Sequence, residues 1–390
     1  MKHLTVRNFG PITEAELELK RYNLFIGQQS SGKSTLLKIA SFCDWLEAQV
    51  EMTQSPERYE RLETIKLGLI RFHKMEGYLH ADSYIRYETD ALSYEFDATL
   101  NKATISWGRG SRRWAYKRAK IAYIPAERNL VAAIPNWFQV SMSPNNIFDF
   151  MKDWEFARKA FDKNEQILGL PFSYRYDAET KSDEILMDDG RKVTLTNASS
   201  GLQSLTPLFI MLRYLTKNYF NDDHGNVENI VLKERLQSIL MGFGMSESKR
   251  DEILQNFMTP SRTDLFIEEP EAHLFPSTQK DFVYSLVTML NGGRKRHNCF
   301  ISTHSPYLMT AFNNLIMAGT VASESKEKAD MVSGRFPASM RLKYDDVAAY
   351  SIKDGKASCI MDEEFRLISA DALDAASETI SNDFDFLLNL

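Results

Sequence analysis

Apolar positions along the chain alternate with polar ones in some segments, run continuously in others, and recur every three or four residues in the rest. These patterns predict strands that alternate with helices, which favours an α/β fold. The predicted strands cover residues 3–6, 15–19, 22–26, several antiparallel runs between 78 and 123, 172–196, 263–269, 298–302, 347–353 and 356–361. The predicted helices cover residues 33–50, 147–163, a segment from Gly201, 231–243, 277–290 and 370–388.

Polar composition and the order of the predicted elements divide the chain into three parts. Residues 216–262 are rich in Asn, Asp, Lys and Glu, which is typical of an exposed insertion. We therefore expect one discontinuous domain over residues 1–215 and 263–320, with residues 216–262 as a helical insertion. We expect residues 321–390 to form a C-terminal hairpin and helix packed on that domain.

The overall composition is that of a globular protein. The 390 residues are 43% hydrophobic and 26% charged, and 47 basic against 53 acidic side chains give a net charge of −6. Such a chain is not a general nucleic-acid binder. Its three cysteines lie far apart, which argues against a zinc site and for a reducing compartment. No apolar stretch is long enough to span a bilayer, so we expect a cytoplasmic protein without membrane contact.

A glycine-rich loop joins the strand predicted at residues 22–26 to the helix that follows. Its sequence, GQQSSGKS over residues 27–34, matches the phosphate-loop pattern GxxxxGK[ST]. Glycines let successive backbone N–H groups converge on phosphates, and the helix N-terminus adds its dipole. We expect Lys33 to contact the β- and γ-phosphates of ATP and the Ser34 hydroxyl to ligate Mg²⁺. The expected nucleotide-binding residues of this loop are Gly27, Ser30, Ser31, Gly32, Lys33, Ser34 and Thr35.

Two adjacent carboxylates end a strongly apolar strand, whose last residues read LFIEE at positions 265–269. Buried runs seldom end in paired acids without a cation nearby. We expect Glu268 to hold Mg²⁺ directly or through water, and Glu269 to orient and deprotonate the attacking water. The alternative is an acidic turn that caps the following helix.

Two further segments are candidates for contact with phosphates. His304 follows another apolar strand and is expected to contact the γ-phosphate, whereas the alternative is a structural histidine. The sequence NASSGLQ at residues 197–203 precedes an apolar helix. Such a turn is often only a cap made by Ser199 or Ser200, but its free N–H groups also suit an anion. Because the first loop already serves one nucleotide, this second turn suggests contact with the nucleotide of another subunit.

Residues 109–120, with the sequence RGSRRWAYKRAK, carry six basic residues in twelve. Trp114 and Tyr116 lie among them. A solvated hairpin explains this composition. Contact with a DNA or RNA backbone is the alternative, because interleaved aromatic and basic side chains suit stacked bases and phosphates.

In combination, four segments resemble the ABC-type ATPase heads of the SMC/RecF/OLD group. The opening LTVRNFGPI at residues 4–12 and the run EEPEAHLFP at residues 268–276 are similar to the OLD-like branch, where Glu commonly replaces the Walker B Asp. The run YIPAER at residues 123–128 resembles the Q-loop region of small bacterial ATPases of this type. The four segments, in chain order, are residues 27–34, 199–203, 265–269 and His304.

The resemblance implies the fold of a P-loop NTPase of the ABC-ATPase type. Such a fold has a mostly parallel sheet, an antiparallel β subdomain and a helical lobe. In that family Lys33 and Ser34 would take the Walker A roles, Glu268 and Glu269 those of Walker B, and His304 that of the switch histidine.

Residues 199–203, here called the signature-like turn, match part of the family's LSGGQ signature. Ser200, Gly201 and Gln203 stand at its Ser, first Gly and Gln, whereas Leu202 replaces the second Gly. Residues 271–274 occupy the D-loop position. The resemblance therefore implies an ATP-sandwich homodimer, in which two chains bury two ATP between them and loosen after hydrolysis.

The resemblance also implies a role for the ATPase. Small heads of this shape resemble the ATPase partners of bacterial defence systems such as PARIS or Septu, in which a separate effector, a nuclease or toxin, is gated. The alternative is a DNA-binding repair or recombination ATPase of the RecF type. A transporter subunit is a third class, which the insertion at residues 216–262 disfavours. A Toprim nuclease site is not expected, because Asp383 and Asp385 lie in the last predicted helix.

Overall fold

The computed structural model describes residues 2–108, 114–134, 142–221, 227–293 and 295–369. The strands are β1 (Lys2–Phe9), β2 (Ile12–Leu19), β3 (Tyr22–Gly27), β4 (Leu79–Glu88), β5 (Leu92–Asp97), β6 (Lys102–Trp107), β7 (Ala119–Ile124), β8 (Glu165–Gln166), β9 (Phe172–Asp177), β10 (Ser182–Met187), β11 (Lys192–Thr194), β12 (Arg262–Glu268), β13 (Asn298–Thr303), β14 (Val347–Lys353), β15 (Lys356–Cys359), β16 (Met361–Asp362) and β17 (Leu367–Ile368). The helices are α1 (Lys33–Thr53), α2 (Leu62–Ile65), α3 (Leu130–Ala133), α4 (Asn146–Lys159), α5 (Ser200–Thr216), α6 (Val227–Met241), α7 (Glu247–Met258), α8 (Pro276–Asn291), α9 (Pro306–Glu324) and α10 (Lys326–Ser333).

One large mixed sheet organises the molecule. In the described ranges it holds eleven strands in the order β6-β5-β4-β1-β2-β15-β14-β3-β13-β12-β7. Neighbours from β14 to β7 are parallel, whereas β6, β5, β4, β1 and β2 form an antiparallel extension. Strands β8 to β11 form a separate antiparallel sheet. The predicted α/β fold of a P-loop NTPase, with a parallel sheet and antiparallel β structure beside it, is confirmed.

Both faces of the parallel strands are buried, as this kind of sheet requires. Leu265 and Ile267 of β12 join one core, and Phe266 between them joins the other. The rings of Phe266 and Phe300 stack across β12 and β13 with centroids 4.4 Å apart. Helix α1 covers the face of these rings, and α4, α5, α8 and α9 cover the opposite face. Each large apolar side chain buried in this way contributes about 1.5–3 kcal/mol, so the strand ends that follow have a rigid base.

Two predicted placements differ from the structure. The run that ends near Tyr123 forms β7, which pairs in parallel with β12 and not with the antiparallel strands before it. The hairpin of β14 and β15, which we expected to pack on the domain, lies inside the sheet, because β14 pairs with β3. Its turn is made by Gly355 (φ 76°), whose carbonyl oxygen accepts hydrogen bonds from the backbone of Thr13 and Glu14. The hydrophobic pattern identified these strands but carries no information on which distant strand pairs with them.

The described part of the expected insertion contains the helices α6 and α7. Leu236 and Leu240 of α6 pack with Phe257 of α7 and with Tyr116 in a third, smaller core. The last predicted helix, with Asp383 and Asp385, lies outside the described residues. No helix in the described ranges is both long and apolar enough to cross a membrane.

Candidate functional site

Three expected parts of the site meet at one edge of the sheet, because β3, β13 and β12 are parallel neighbours. The phosphate loop follows β3, His304 follows β13, and Glu268 and Glu269 stand at the end of β12. Ligands of open α/β sheets bind outside the carboxyl ends of the strands. The pairing of these strands therefore makes this edge the candidate nucleotide site.

The phosphate loop has backbone conformations that require small residues. Gly32 (φ 105°) is left-handed and stands before the first turn of α1, and Ser30 (φ 60°) is left-handed as well. A Cβ atom at Gly32 would lie 2.4 Å from Ile12 Cδ1, and one at Gly27 would lie 2.3 Å from the Ile352 carbonyl oxygen. Gly32 therefore needs glycine for its conformation, and Gly27 needs it for space, because the atom opposite Gly27 belongs to the backbone.

Lys33, the first residue of α1, is only 4% exposed. Its Nζ donates to the Gln28 carbonyl oxygen within the loop at 2.6 Å. Burial lowers the pKa of Lys33, while the carboxylates of Glu269 and Glu271 act in the opposite direction. Charge-assisted hydrogen bonds to an anion are stronger than those to a neutral carbonyl, so this buried ammonium fits a phosphate group.

Several hydroxyl groups lie in the loop, at the start of α1 and in the neighbouring strand β13. Ser34 is half-buried and Thr35 is buried at the start of α1. The Oγ atoms of Ser31 and of Ser302 in β13 are buried and have no hydrogen-bond partner among the described residues. Because an unpaired buried hydroxyl costs free energy, a ligand with several oxygen atoms would stabilise this edge. The residues present therefore fit a triphosphate with its Mg²⁺.

Glu268 is 6% exposed, and the groups around its carboxylate hold it in place. The Tyr123 hydroxyl donates to Oε1, the Ala126 N–H donates to Oε2 at 3.3 Å, and Lys38 Nζ lies 3.8 Å from Oε1. Burial raises the pKa of Glu268, whereas Lys38 and the Tyr123 hydroxyl lower it. Because Mg²⁺ prefers oxygen ligands, Glu268 and Ser34 are the residues that would hold it.

Glu269 and His304 form a pair at the exposed side of the site. Glu269 has a left-handed backbone (φ 42°), and its N–H donates to the Ser302 carbonyl oxygen at 2.8 Å. His304 Nε2 lies 3.3 Å from Glu269 Oε1. The backbone N–H of His304 donates to Glu271 Oε1 at 2.6 Å, which connects the two loops. A partly exposed carboxylate oriented by an imidazole is suited to act as a general base.

The signature-like turn begins α5 without a side-chain cap. The Ser199 side chain makes no capping hydrogen bond, and Ser199 and Ser200 are both exposed. The Gln203 side chain donates to backbone carbonyl oxygens behind the turn, at 2.7 and 3.4 Å, so it anchors the turn. A Cβ atom at Gly201 would lie 3.2 Å from the His273 carbonyl oxygen, which places the turn against the D-loop segment of the same chain. The first N–H groups of α5 are therefore available to an anion.

Arg128, to which the sequence assigned no role, connects these parts. The guanidinium is fully buried and donates to the carbonyl oxygens of Glu268 at 2.9 Å and Glu269 at 2.8 Å. It also donates to the carbonyl and hydroxyl oxygens of Ser204 in α5, at 3.3 and 3.2 Å. Burial lowers the pKa of Arg128 to about 10. The resemblance of residues 123–128 to a Q-loop region pointed to this segment without revealing its contacts.

The second half of the basic run is engaged in protein packing. Trp114 and Tyr116 lie against Phe257 of α7, with ring centroids 6.3 and 5.4 Å apart. Lys120 Nζ pairs with a carboxylate of α4 at 2.7 Å. The two aromatic rings therefore have a structural role that the basic sequence around them did not suggest. Residues 109–113 lie outside the described part of the chain, and DNA contact through this run stays a prediction.

Comparisons with known proteins give one family match and several structural likenesses. Residues 119–309 match the family model described as an AAA ATPase domain. No curated protein matches the chain. Among solved structures, it is similar to an SMC head domain from Thermotoga maritima, with 10% identity, 92% of this chain and 97% of the other covered, and a TM-score of 0.39. It is also similar to the recombination mediator protein RecF, with 11% identity, 92% of this chain and 97% of the other covered, and a TM-score of 0.31. A dimeric bacterial ABC transporter cassette is similar as well, with 11% identity, 91% of this chain and 96% of the other covered, and a TM-score of 0.32.

The matched segment holds the acidic strand end, the signature-like turn and His304, while the phosphate loop precedes it. ATP hydrolysis is a general property of that family. Residues 119–309 thus match an AAA ATPase domain, and the mixed sheet with its phosphate loop gives the chain the fold of a P-loop ATPase.

Proposed function

We propose that this chain hydrolyses ATP with Mg²⁺, that ATP joins two copies of it head to head, and that the dimer gates a separate effector protein. The observation that carries the proposal is the pairing of Glu269 Oε1 with His304 Nε2 at 3.3 Å. This pair lies at the same edge of the sheet as the phosphate loop. A general base beside a phosphate-binding loop is the arrangement that hydrolysis of a nucleoside triphosphate needs.

Each side chain has a separate task in this proposal. Lys33 binds the β- and γ-phosphates, and Ser34 and Glu268 hold Mg²⁺, which offsets the negative charge of the phosphates. Glu269 orients a water molecule and accepts its proton, and His304 keeps the Glu269 carboxylate in place and contacts the γ-phosphate. Since the Glu269 backbone is already fixed by its hydrogen bond to Ser302, little reorganisation is needed when the water reacts.

Exposed groups around the site support a dimer of two copies. The uncapped start of α5 offers Ser200 and Gly201 to an anion, with Gln203 as the anchor of the turn. Phe275 is 75% exposed and Tyr307 is 53% exposed, and they follow the acidic strand end and His304 closely in the chain. Large exposed aromatic side chains are enriched in protein interfaces. In an isologous dimer, each copy would use its α5 start to close the nucleotide site of the other.

The effector part of the proposal is supported by the resemblance to ATPase heads of bacterial defence systems. A dimer that forms with ATP and loosens after hydrolysis would present different surfaces to a partner in the two states. The alternative is a DNA-binding ATPase of the RecF type. It predicts salt-dependent DNA binding that is lost when Arg112, Arg113 and Lys117 are replaced by alanine.

The dimer is tested by the molar mass of the Glu269→Gln variant, measured by size-exclusion chromatography with light scattering. With ATP and Mg²⁺ we expect this variant to trap the nucleotide and to elute with twice the mass of the single chain. Lys33→Ala is the matched control, which should stay a monomer under the same conditions. A Glu269→Gln variant that binds ATP and remains a monomer would exclude the ATP-sandwich dimer.

A further inference from the structure

One buried guanidinium joins the acidic strand end to the helix that carries the signature-like turn. Arg128 lies in the short helix Ala126–Asn129, directly after β7, and its side chain is 0% exposed. Besides the four hydrogen bonds described above, Nη1 donates to the Pro125 carbonyl oxygen at 3.4 Å. The five N–H groups of the guanidinium thus donate to four carbonyl oxygens and one hydroxyl oxygen, which uses the full hydrogen-bonding capacity of an arginine.

The two sides of this bridge belong to different functional parts. On one side are the consecutive carbonyl oxygens of Glu268 and Glu269, whose positions decide where the two carboxylates project. On the other side is Ser204, four residues after Ser200 in α5. The guanidinium keeps all its hydrogen bonds only while the acidic strand end and α5 keep their relative position. Because a buried N–H group that loses its acceptor costs free energy, Arg128 stabilises this relative position.

We infer that Arg128 is a positioning residue that couples the two nucleotide sites of the dimer. This inference rests on the proposed function. Glu268 and Glu269 belong to the site that the chain forms with its own phosphate loop, whereas the start of α5 reaches the nucleotide held by the second copy. When nucleotide binds, a displacement of the acidic strand end is transmitted through Arg128 to α5. It therefore reaches the nucleotide site of the second copy.

The geometry explains why an arginine occupies this position. Its planar fork directs two nitrogens to the neighbouring carbonyls of Glu268 and Glu269, while Nε and the second Nη2 hydrogen reach Ser204. A lysine keeps the charge but has a single nitrogen, so it cannot reach both sides at once. Arg128→Lys therefore removes the bridge without removing the positive charge.

The experiment measures ATP hydrolysis against ATP concentration for the wild-type chain, Arg128→Lys and a matched control, Arg341→Lys. Arg341 also donates to backbone carbonyl oxygens and to a serine hydroxyl, but near α10 and away from the site. For the wild type and the control we expect a Hill coefficient of about 2. For Arg128→Lys we expect about 1, and a kcat that is ~10–100-fold lower. Its affinity for ADP should stay within about twofold, because the phosphate loop is intact.

Ser204→Ala removes only the hydroxyl acceptor and provides the same test if Arg128→Lys does not fold. A lower Hill coefficient with unchanged ADP affinity would support the coupling, since a purely structural role would not separate these two quantities. Unchanged cooperativity in both variants would overturn it, and so would a wild-type dimer that hydrolyses ATP without cooperativity. If Glu269→Gln forms no dimer with ATP, the proposed function itself fails, which is a distinct result.

Discussion

His304 Nε2 lies 3.3 Å from Glu269 Oε1, although the two residues follow different strands. Their contact depends on the parallel pairing of β12 with β13, in which Glu268 is opposite Ser302. The Glu269 N–H then reaches the Ser302 carbonyl oxygen, and this contact holds the left-handed backbone that presents the carboxylate. The geometry of the pair is therefore set by the sheet and not by flexible loops alone.

Replacing Glu269 by Gln should leave ATP binding intact and slow its hydrolysis. Gln keeps the size of the side chain but cannot accept the proton of the attacking water, so we expect kcat to fall by about 10²–10⁴-fold. His304→Ala should lower kcat less, because the base remains, although its orientation and one contact with the γ-phosphate are lost. Phosphate release under saturating ATP measures both effects. A Glu269→Gln variant that hydrolyses ATP at the wild-type rate would exclude Glu269 as the base.

Replacing Tyr123 by Phe should move the acid limb of the pH–activity profile to higher pH. The Tyr123 hydroxyl donates to Glu268 and so lowers the pKa of a carboxyl group that burial raises. Without that donor, the pKa of Glu268 should rise further, and the ionised form needed to hold Mg²⁺ should be lost at a higher pH. Tyr94→Phe is the control, because the Tyr94 hydroxyl is buried without a hydrogen-bond partner among the described residues. The same acid limb in Tyr123→Phe and Tyr94→Phe would count against the role of Glu268.

Replacing Gly32 by Ala should destabilise the phosphate loop and weaken nucleotide binding. The new Cβ would meet Ile12 Cδ1 at 2.4 Å in a residue that already has φ 105°. Gly77 is a matched control, since its φ is 85° but nothing lies within 4 Å of a Cβ placed there. We expect Gly77→Ala to cost about 1 kcal/mol from backbone strain and Gly32→Ala roughly 2–3 kcal/mol or more. Chemical denaturation and nucleotide titration of both variants measure the difference, and equal losses would show that the clash is relieved.

Replacing His73 by Phe should make the protein less sensitive to acid. His73 is buried against the ring of Tyr123, and burial lowers its pKa from 6.5 to about 3, with a smaller effect from Lys38. Because the unfolded chain binds more protons between these two values, the contribution of His73 to stability is complete above pH 6.5 and is lost as the pH falls towards 3. Between pH 7 and pH 5 this loss is about 2 kcal/mol.

The free energy of unfolding at pH 7 and pH 5 tests this effect of His73. The difference between the two values should shrink by about 2 kcal/mol in His73→Phe. It should stay unchanged in the control His80→Phe, which alters an exposed histidine. An unchanged difference in His73→Phe would mean that another group causes the acid sensitivity.

Much of the site could be predicted from the sequence because its chemistry is local. The phosphate loop needs glycines, Lys33 and Ser34 within eight consecutive residues, and such a pattern needs no knowledge of distant contacts. The acidic strand end was equally clear, since two carboxylates after a buried strand are costly unless they have a function. That these segments meet followed from one general property of parallel sheets.

Contacts between distant segments could not be predicted in the same way. The resemblance of residues 123–128 to a Q-loop region pointed to the segment of Arg128, but nothing near it in the sequence revealed acceptors in α5 and at the end of β12. The same holds for Trp114 and Tyr116, whose packing partner Phe257 lies more than a hundred positions away in the chain. The hydrophobic pattern fixes which residues are buried, whereas the choice of partner depends on the tertiary fold.

Calorimetric titration of the Glu269→Gln chain with ATP in the presence of Mg²⁺ measures whether the phosphate loop and the acidic strand end form one nucleotide site. We expect one nucleotide per chain, with a dissociation constant in roughly the micromolar range, and loss of binding in Lys33→Ala. The absence of binding at millimolar ATP and Mg²⁺ would contradict this expectation.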